Sequence, residues 1–127
     1  MSDDKTVVLE LIDAFNSMDI ERVVACFVDD AVYHNIPMEA VTGTEAIRGA
    51  LAGFIASSSE VQWDMPHIVA DNGIVMTERV DKFKINDNWI ALPVMGIFEV
   101  SDGRITAWRD YFDLGQFQTQ MAAAAGG

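Results

Sequence analysis

The sequence predicts an α+β fold, in which helices come first and a curved, mostly antiparallel sheet follows, with the helices packed over its concave face. Three observations predict it. Apolar residues recur three and four apart in three stretches between Asp3 and Ile55, the spacing of amphipathic helices. From Val61 onward, strand-like runs are separated by Asp71-Asn72-Gly73, Asn86-Asp87-Asn88 and Ser101-Asp102-Gly103, clusters that turn a chain tightly. Finally, 127 residues, 50% of them apolar and without repeat or Pro/Gly/Ser-rich linker, suit a single domain over residues 1–127.

The first helix is read from Asp3 to about Ser17, with Val7, Val8, Leu11, Ile12 and Phe15 on its apolar stripe and Asp3 or Asp4 at its start. Asp19 is placed as the cap of a shorter second helix carrying Ile20, Val23, Val24 and Phe27. Ala31 to Ile36 reads as a strand. Thr42-Gly43-Thr44 is expected to cap a third helix whose apolar positions are Ala46, Ile47, Ala50, Leu51, Phe54 and Ile55. Strands are then predicted over residues 61–70, 74–85, 89–100 and 104–112. Pro66 and Pro93 inside them point to edges, bulges or bends. A last short helix is read over Gln116–Ala124, with residues from Ala122 on expected to fray. Helices on one face of such a sheet leave a cavity beneath them.

Composition narrows the function. Eight Lys and Arg against 20 Asp and Glu give a net charge of −12, which repels phosphate backbones and anionic lipid surfaces, so nucleic-acid and membrane partners are not expected. The single cysteine, Cys26, excludes an intrachain disulfide framework and is read as core. The polar, acidic start and the lack of a long apolar run predict an intracellular, cytoplasmic protein. His34 and His67, without metal-ligand spacing, read as packed or interface residues rather than ligands, and no metal is expected. The chain contains no G-x-S-x-G, P-loop or G-x-G-x-x-G pattern, which argues against an acyl-transfer serine and against nucleotide cofactors.

Residues two apart on a strand share a face. That rule places Tyr33 with Asn35, and Arg79 with Asp81 beside Val75, Thr77 and Phe83. It also sets Asp110 between Trp108 and Phe112. Glu78, Lys82 and Lys84 fall on the opposite, wetter face, as does Arg109, which reads as a surface or dimer-contact residue. Charges on the apolar face need partners. Arg79, Asp81 and Asp110 either form an ion-pair network that satisfies only itself or belong to a site. Two carboxyl groups in opposite protonation states can serve as acid and base, and with one of them ionised beside Arg79 the trio is neutral. The residues alone do not say which Asp is which. Phe83, Phe112 and Trp108 are candidates for an apolar pocket wall, with Leu92, Val94, Met95 and Ile97 depending on register. Asp113 reads as a helix cap.

Tyr33-x-Asn35, Arg79-x-Asp81 and Asp110, the last within Trp108-Arg109-Asp110-Tyr111-Phe112-Asp113, resemble the active-site elements of the limonene-1,2-epoxide hydrolase family, in family order and across nearly the whole chain. The resemblance implies the NTF2-like (nuclear-transport-factor-2-like) cone, an α+β fold with a curved mixed sheet and a deep pocket. It also implies a cofactor-independent hydrolase that adds water to small hydrophobic epoxides, cyclic or terpene-like, to give vicinal diols. By the same resemblance Asp81 is the acid that protonates the epoxide oxygen, Asp110 is the base that takes a proton from water, and Tyr33 and Asn35 hold that water. The scheme is one step with inversion and no covalent enzyme intermediate. A homodimer paired through the outer sheet face is expected. The rivals are an isomerase, dehydratase or polyketide-cyclase-like enzyme using one carboxylate, and a non-enzymatic dimer that binds a small ligand.

Overall fold

The computed structural model describes residues 3–126; Met1, Ser2 and Gly127 lie outside the described residues. Helix α1 (Asp4–Asn16) starts where the Asp3 carboxylate accepts the Lys5 N–H at 3.0 Å, and it buries Val8, Leu11, Ile12 and Phe15 on one stripe. Asp19 caps α2 (Ile20–Val24), accepting the Arg22 N–H at 3.2 Å. Such a cap contributes about 1 kcal/mol. The strand expected at Ala31 begins earlier, because β1 spans Phe27–Asn35. Phe27, read as the end of a helical stripe, is instead a strand residue paired with Ile105. Over so few residues helical and strand periods coincide. The two-residue strand β2 (Val41–Thr42) carries no periodic signal and was not anticipated. It pairs with β1 and leads into α3 (Thr44–Ala56), whose cap is Gly43 rather than a threonine side chain. Gly43 has φ of 94°, a conformation that side-chain-bearing residues rarely adopt.

Strands β3 (Glu60–Asp71), β4 (Ile74–Ile85), β5 (Asn88–Ser101) and β6 (Arg104–Tyr111) follow, then α4 (Leu114–Gly126). All three hairpins close on two-residue turns, Asn72-Gly73, Asn86-Asp87 and Asp102-Gly103, with φ between 51° and 78°. These are mirror-image turns whose twist matches that of the flanking strands. The six-stranded sheet has the order β2-β1-β6-β5-β4-β3, antiparallel except for the β1–β6 pair. Pro66 lies in a register shift of edge strand β3, and Pro93 lies where β5 pairs with β4 alone, beyond the last β6 partner, Met95↔Tyr111.

Helix α4 is longer than its sequence pattern suggested. It runs on through Ala122–Ala125 to Gly126 rather than fraying, and Ala124 is buried. The Asp113 carboxylate accepts the Gln116 N–H at 2.9 Å, the expected cap. Gln120 clasps the one-sided stretch of β5, donating to Ala91 O at 2.9 Å and accepting the Ala91 N–H at 2.8 Å. An exposed strand margin is thereby satisfied.

Between helices and sheet lies an aromatic core. Phe15 stacks on Trp63 with centroids 4.1 Å apart, and Trp108 lies 4.5 Å from Tyr33 and 5.2 Å from Phe98. The open face of the sheet carries the exposed apolar residues Val69, Met76, Met95 and Tyr111. Among the described residues no helix is long and apolar enough to cross a membrane.

Candidate active site

Sheet register lays the polar residues out in rows on the helix-covered face. One row reads Asn35, Asp110, Gly96, Thr77 across β1, β6, β5 and β4. The row on one side is Tyr33, Trp108, Phe98, Val75. On the other side Arg79 is opposite Val94, and beyond it Asp81 is flanked by Leu92 and Trp63. Burial along β4 alternates from Val75 to Phe83, which places Arg79 and Asp81 inside. The inward positions of β5 are Leu92, Val94 and Gly96, so Met95 turns outward and lies exposed.

Arg79 joins the two carboxyls. Its Nε and Nη2 donate to Asp81 Oδ1 and Oδ2, both at 2.9 Å. Nη1 and Nη2 donate to Asp110 Oδ1 at 3.1 Å and Oδ2 at 2.7 Å. Nη1 also reaches Thr77 Oγ1 at 3.2 Å. Trp108 Nε1 donates to Asp110 Oδ1 at 2.6 Å, and Tyr33 Oη donates to Asn35 Oδ1 at 3.1 Å. The guanidinium lies over the rings of Trp63 (5.0 Å) and Trp108 (5.8 Å). Arg79, Asp81 and Asp110 are 1%, 5% and 3% exposed, so their charges must be balanced among themselves.

β4 and β6 stand about 10 Å apart, with β5 between them. Arg79 spans that gap by lying over Gly96. A Cβ at Gly96 would sit 2.4 Å from Arg79 Nη1, 2.6 Å from Asp110 Oδ1 and 2.9 Å from Thr77 Oγ1. The guanidinium is held at every nitrogen and has nowhere to retreat. Gly96→Ala is therefore expected to pry Arg79 from Asp110 and destabilise the protein by about 1–3 kcal/mol, the usual cost of overpacking. Chemical denaturation measures it, and an unchanged midpoint would contradict the geometry.

Burial, assisted by the nearby Asp110, pushes the Asp81 carboxyl up to about 6, against the opposing pull of Arg79. Burial disfavours the charge on Arg79, but Asp110 and Asp81 outweigh it and hold the guanidinium charged. The Tyr33 hydroxyl is pushed well up, first by burial and then by Asp110, so it stays protonated. One guanidinium cannot stabilise two buried anions as well as two anions stabilise it, and a single proton shared by the carboxyls leaves the trio neutral.

Above this floor lies a cavity of about 180 Å³. That is smaller than the roughly 300–1,000 Å³ of pockets for drug-sized ligands, so a small molecule suits it. Tyr33, Asn35, Asp81 and Asp110 form its polar end. Of the four residues expected in the wall, Phe83, Leu92 and Phe112 line it. Trp108 does not: it is 0% exposed and packed behind the wall, with its N–H turned to Asp110. Val94, a candidate that depended on register, lines it as well, whereas Met95 and Ile97 do not. Ala50, Leu51 and Phe54, which sequence periodicity reads only as an apolar helix stripe, supply the rest of the wall together with Met38, Trp63 and Phe117.

His34 and His67 lie outside the cavity. His34 Nε2 sits 2.8 Å from Met38 O, and His67 is not packed as expected but 76% exposed beside Glu78. Cys26 is buried, and burial pushes its thiol up to about 11. Arg109 bonds Glu99 at 2.7 Å on the outer face. Among the described residues no three His, Cys, Asp or Glu side chains group as a metal site.

Residues 2–123 match the limonene-1,2-epoxide hydrolase catalytic domain family. The chain belongs to the limonene-1,2-epoxide hydrolase family. Within reach of this family, it is 35% identical over 106 residues to epoxide hydrolase EphG of Mycobacterium tuberculosis, covering 81% of this chain and 68% of that protein. The solved structure of an M. tuberculosis LEH-like epoxide hydrolase superposes with TM-score 0.83 at 30% identity, over 96% of this chain and 91% of that one. A SnoaL-like polyketide cyclase from Shewanella denitrificans gives TM-score 0.83 at 16% identity, over 94% and 97%, a likeness of fold alone. The NTF2-like architecture is thus common to this limonene-1,2-epoxide hydrolase family member and to proteins with far lower sequence identity.

Proposed function

We propose that the protein hydrolyses small, mostly hydrophobic epoxides, cyclic or terpene-like, to vicinal diols by one-step general acid–base catalysis without a cofactor. The observation that carries this reading is one buried guanidinium holding two carboxyl groups at the floor of a small apolar cavity, each carboxyl bonded to Arg79 Nη2. Protonated Asp81 gives its proton to the epoxide oxygen as the C–O bond breaks. Ionised Asp110 takes a proton from water, whose oxygen attacks carbon and inverts it. Tyr33 and Asn35 position that water. With Asn35 Oδ1 occupied by the Tyr33 hydroxyl, the Asn35 amide N–H groups and the lone pairs of Tyr33 Oη face the water. Holding the water in line for attack supplies a large share of the rate. Afterwards Asp110 carries the proton and Asp81 is ionised, and a proton returned to Asp81 resets the pair. A single-carboxylate isomerase or cyclase leaves the second Asp and Arg79 without a task.

Incubation with cyclohexene oxide, limonene oxide and linear epoxides tests the proposal, with diol as the expected product. A single turnover in ¹⁸O-water should place label in the diol and none in the protein. Absence of diol across the panel sinks the hydrolase reading, and label in a carboxylate sinks the one-step scheme. The exposed Met76, Met95 and Tyr111 support pairing of two copies through the outer sheet face, which light scattering tests as a mass twice that of the chain.

A further inference from the structure

The Asp110 carboxylate has about four lone-pair positions, two on each oxygen. Three are taken. Trp108 Nε1 at 2.6 Å and Arg79 Nη1 at 3.1 Å both point at Oδ1, and Arg79 Nη2 at 2.7 Å occupies one position on Oδ2. A single position is left, and it lies on Oδ2. We infer that Trp108 is a positioning residue for the base: its indole N–H fills the last position on Oδ1, fixes the rotation of the carboxylate, and leaves Oδ2 as the one atom able to take a proton from water. This rests on the water-activating role of Asp110 proposed above.

Trp108 suits that task for three reasons. It stands two residues before Asp110 on the same strand and face, so the backbone sets the distance between them. Its ring is clamped by Tyr33 at 4.5 Å, Phe98 at 5.2 Å, Phe15 at 5.9 Å and Phe27 at 6.1 Å, so the N–H has no freedom to swing. An indole N–H donates and does not accept, so it favours the ionised carboxylate without competing for the proton. Without it, Oδ1 offers a second basic lone pair, on the oxygen that lies over Gly96, and a water drawn there is misaligned for attack. Since Trp108 does not line the cavity, its loss should act on turnover rather than on substrate binding.

Two variants test this. Trp108→Phe removes the N–H, and site-specific incorporation of benzothienylalanine at position 108 replaces the N–H with sulfur at nearly unchanged shape, which preserves the core should the Phe variant fail to fold. The expected result for both is a kcat lowered about tenfold or more with KM unchanged, since small misplacements of reacting groups cost up to about a hundredfold. The acidic limb of the kcat/KM profile should also move to higher pH, because the ionised base has lost a donor. Independently of turnover, the Trp108 indole proton, assigned from its loss in Trp108→Phe, should resonate downfield and move upfield in Asp110→Asn. A benzothienylalanine enzyme with wild-type kcat and pH profile overturns the inference while leaving the hydrolase reading intact. A wild-type protein that forms no diol overturns both.

Discussion

Asp110→Asn is expected to lower kcat/KM for diol formation by on the order of 10²–10⁴, the span that a positioned general base supplies. The loss should fall at the upper end, because the substitution disables both proton-transfer partners. Arg79 is buried and held charged by two carboxylates. With Asp110 neutralised, Asp81 is the remaining anion within its reach, and the like charge that helps keep Asp81 protonated is gone. Asp81 then ionises to balance Arg79 and has no proton to give the epoxide oxygen. Steady-state rates on a single epoxide, with circular dichroism to confirm the fold, measure the effect. A variant retaining more than a tenth of wild-type activity would exclude Asp110 as the base.

Asp81→Asn should produce a similar loss of activity with the opposite sign in stability. The Asp81 carboxyl titrates at about 6 in the folded protein against a reference value of 3.8. The native state therefore holds a proton that the unfolded chain has already released. The stability this contributes is full below pH about 4 and is lost as pH rises through about 6. A shift of this size corresponds to about 3 kcal/mol, an order-of-magnitude figure. Asn carries no such penalty, so the variant should gain on the wild type across that window, seen as a denaturation midpoint that no longer falls between pH 4 and 7. Wild-type kcat/KM should decline as pH rises through the same region, where the acid sheds its proton. A variant that loses stability relative to wild type above pH 6 would show that ionised Asp81 is a structural ion-pair partner and not a strained acid.

The dipeptide-spaced pairs were legible because strand geometry leaves little choice: Tyr33 must share a face with Asn35, and Arg79 with Asp81. The three hairpin turns were equally plain, since Asn-Gly and Asp-Gly favour the positive φ that two of them need, and Asn and Asp tolerate it in the third, Asn86-Asp87. Which strands lie side by side was not. Tyr33 and Asn35 meet Asp110 because β1 pairs in parallel with β6, a contact between distant parts of the chain that no local period encodes. Gly96 gave no sign of its importance, because a glycine within a strand has meaning only once the side chain lying across it is known. The face of Trp108 was readable, but not the aromatic cluster that turns its N–H to Asp110 and removes it from the cavity wall. Leu51 and Phe54 have helical spacing, which says that they are covered but not that they cover a void, and nothing in the sequence singled out Phe117.

The origin of the cavity lining has a practical bearing. The groups assigned to proton transfer and water placement all stand on hydrogen-bonded strands, whereas Ala50, Leu51 and Phe54 project from α3 and Phe117 from α4. Part of the wall that meets a guest is thereby carried by elements that hold none of the reacting groups. A library confined to those helical positions can be screened for new guests, or for the choice between mirror-image carbons, while the proton-handling geometry is inherited unaltered.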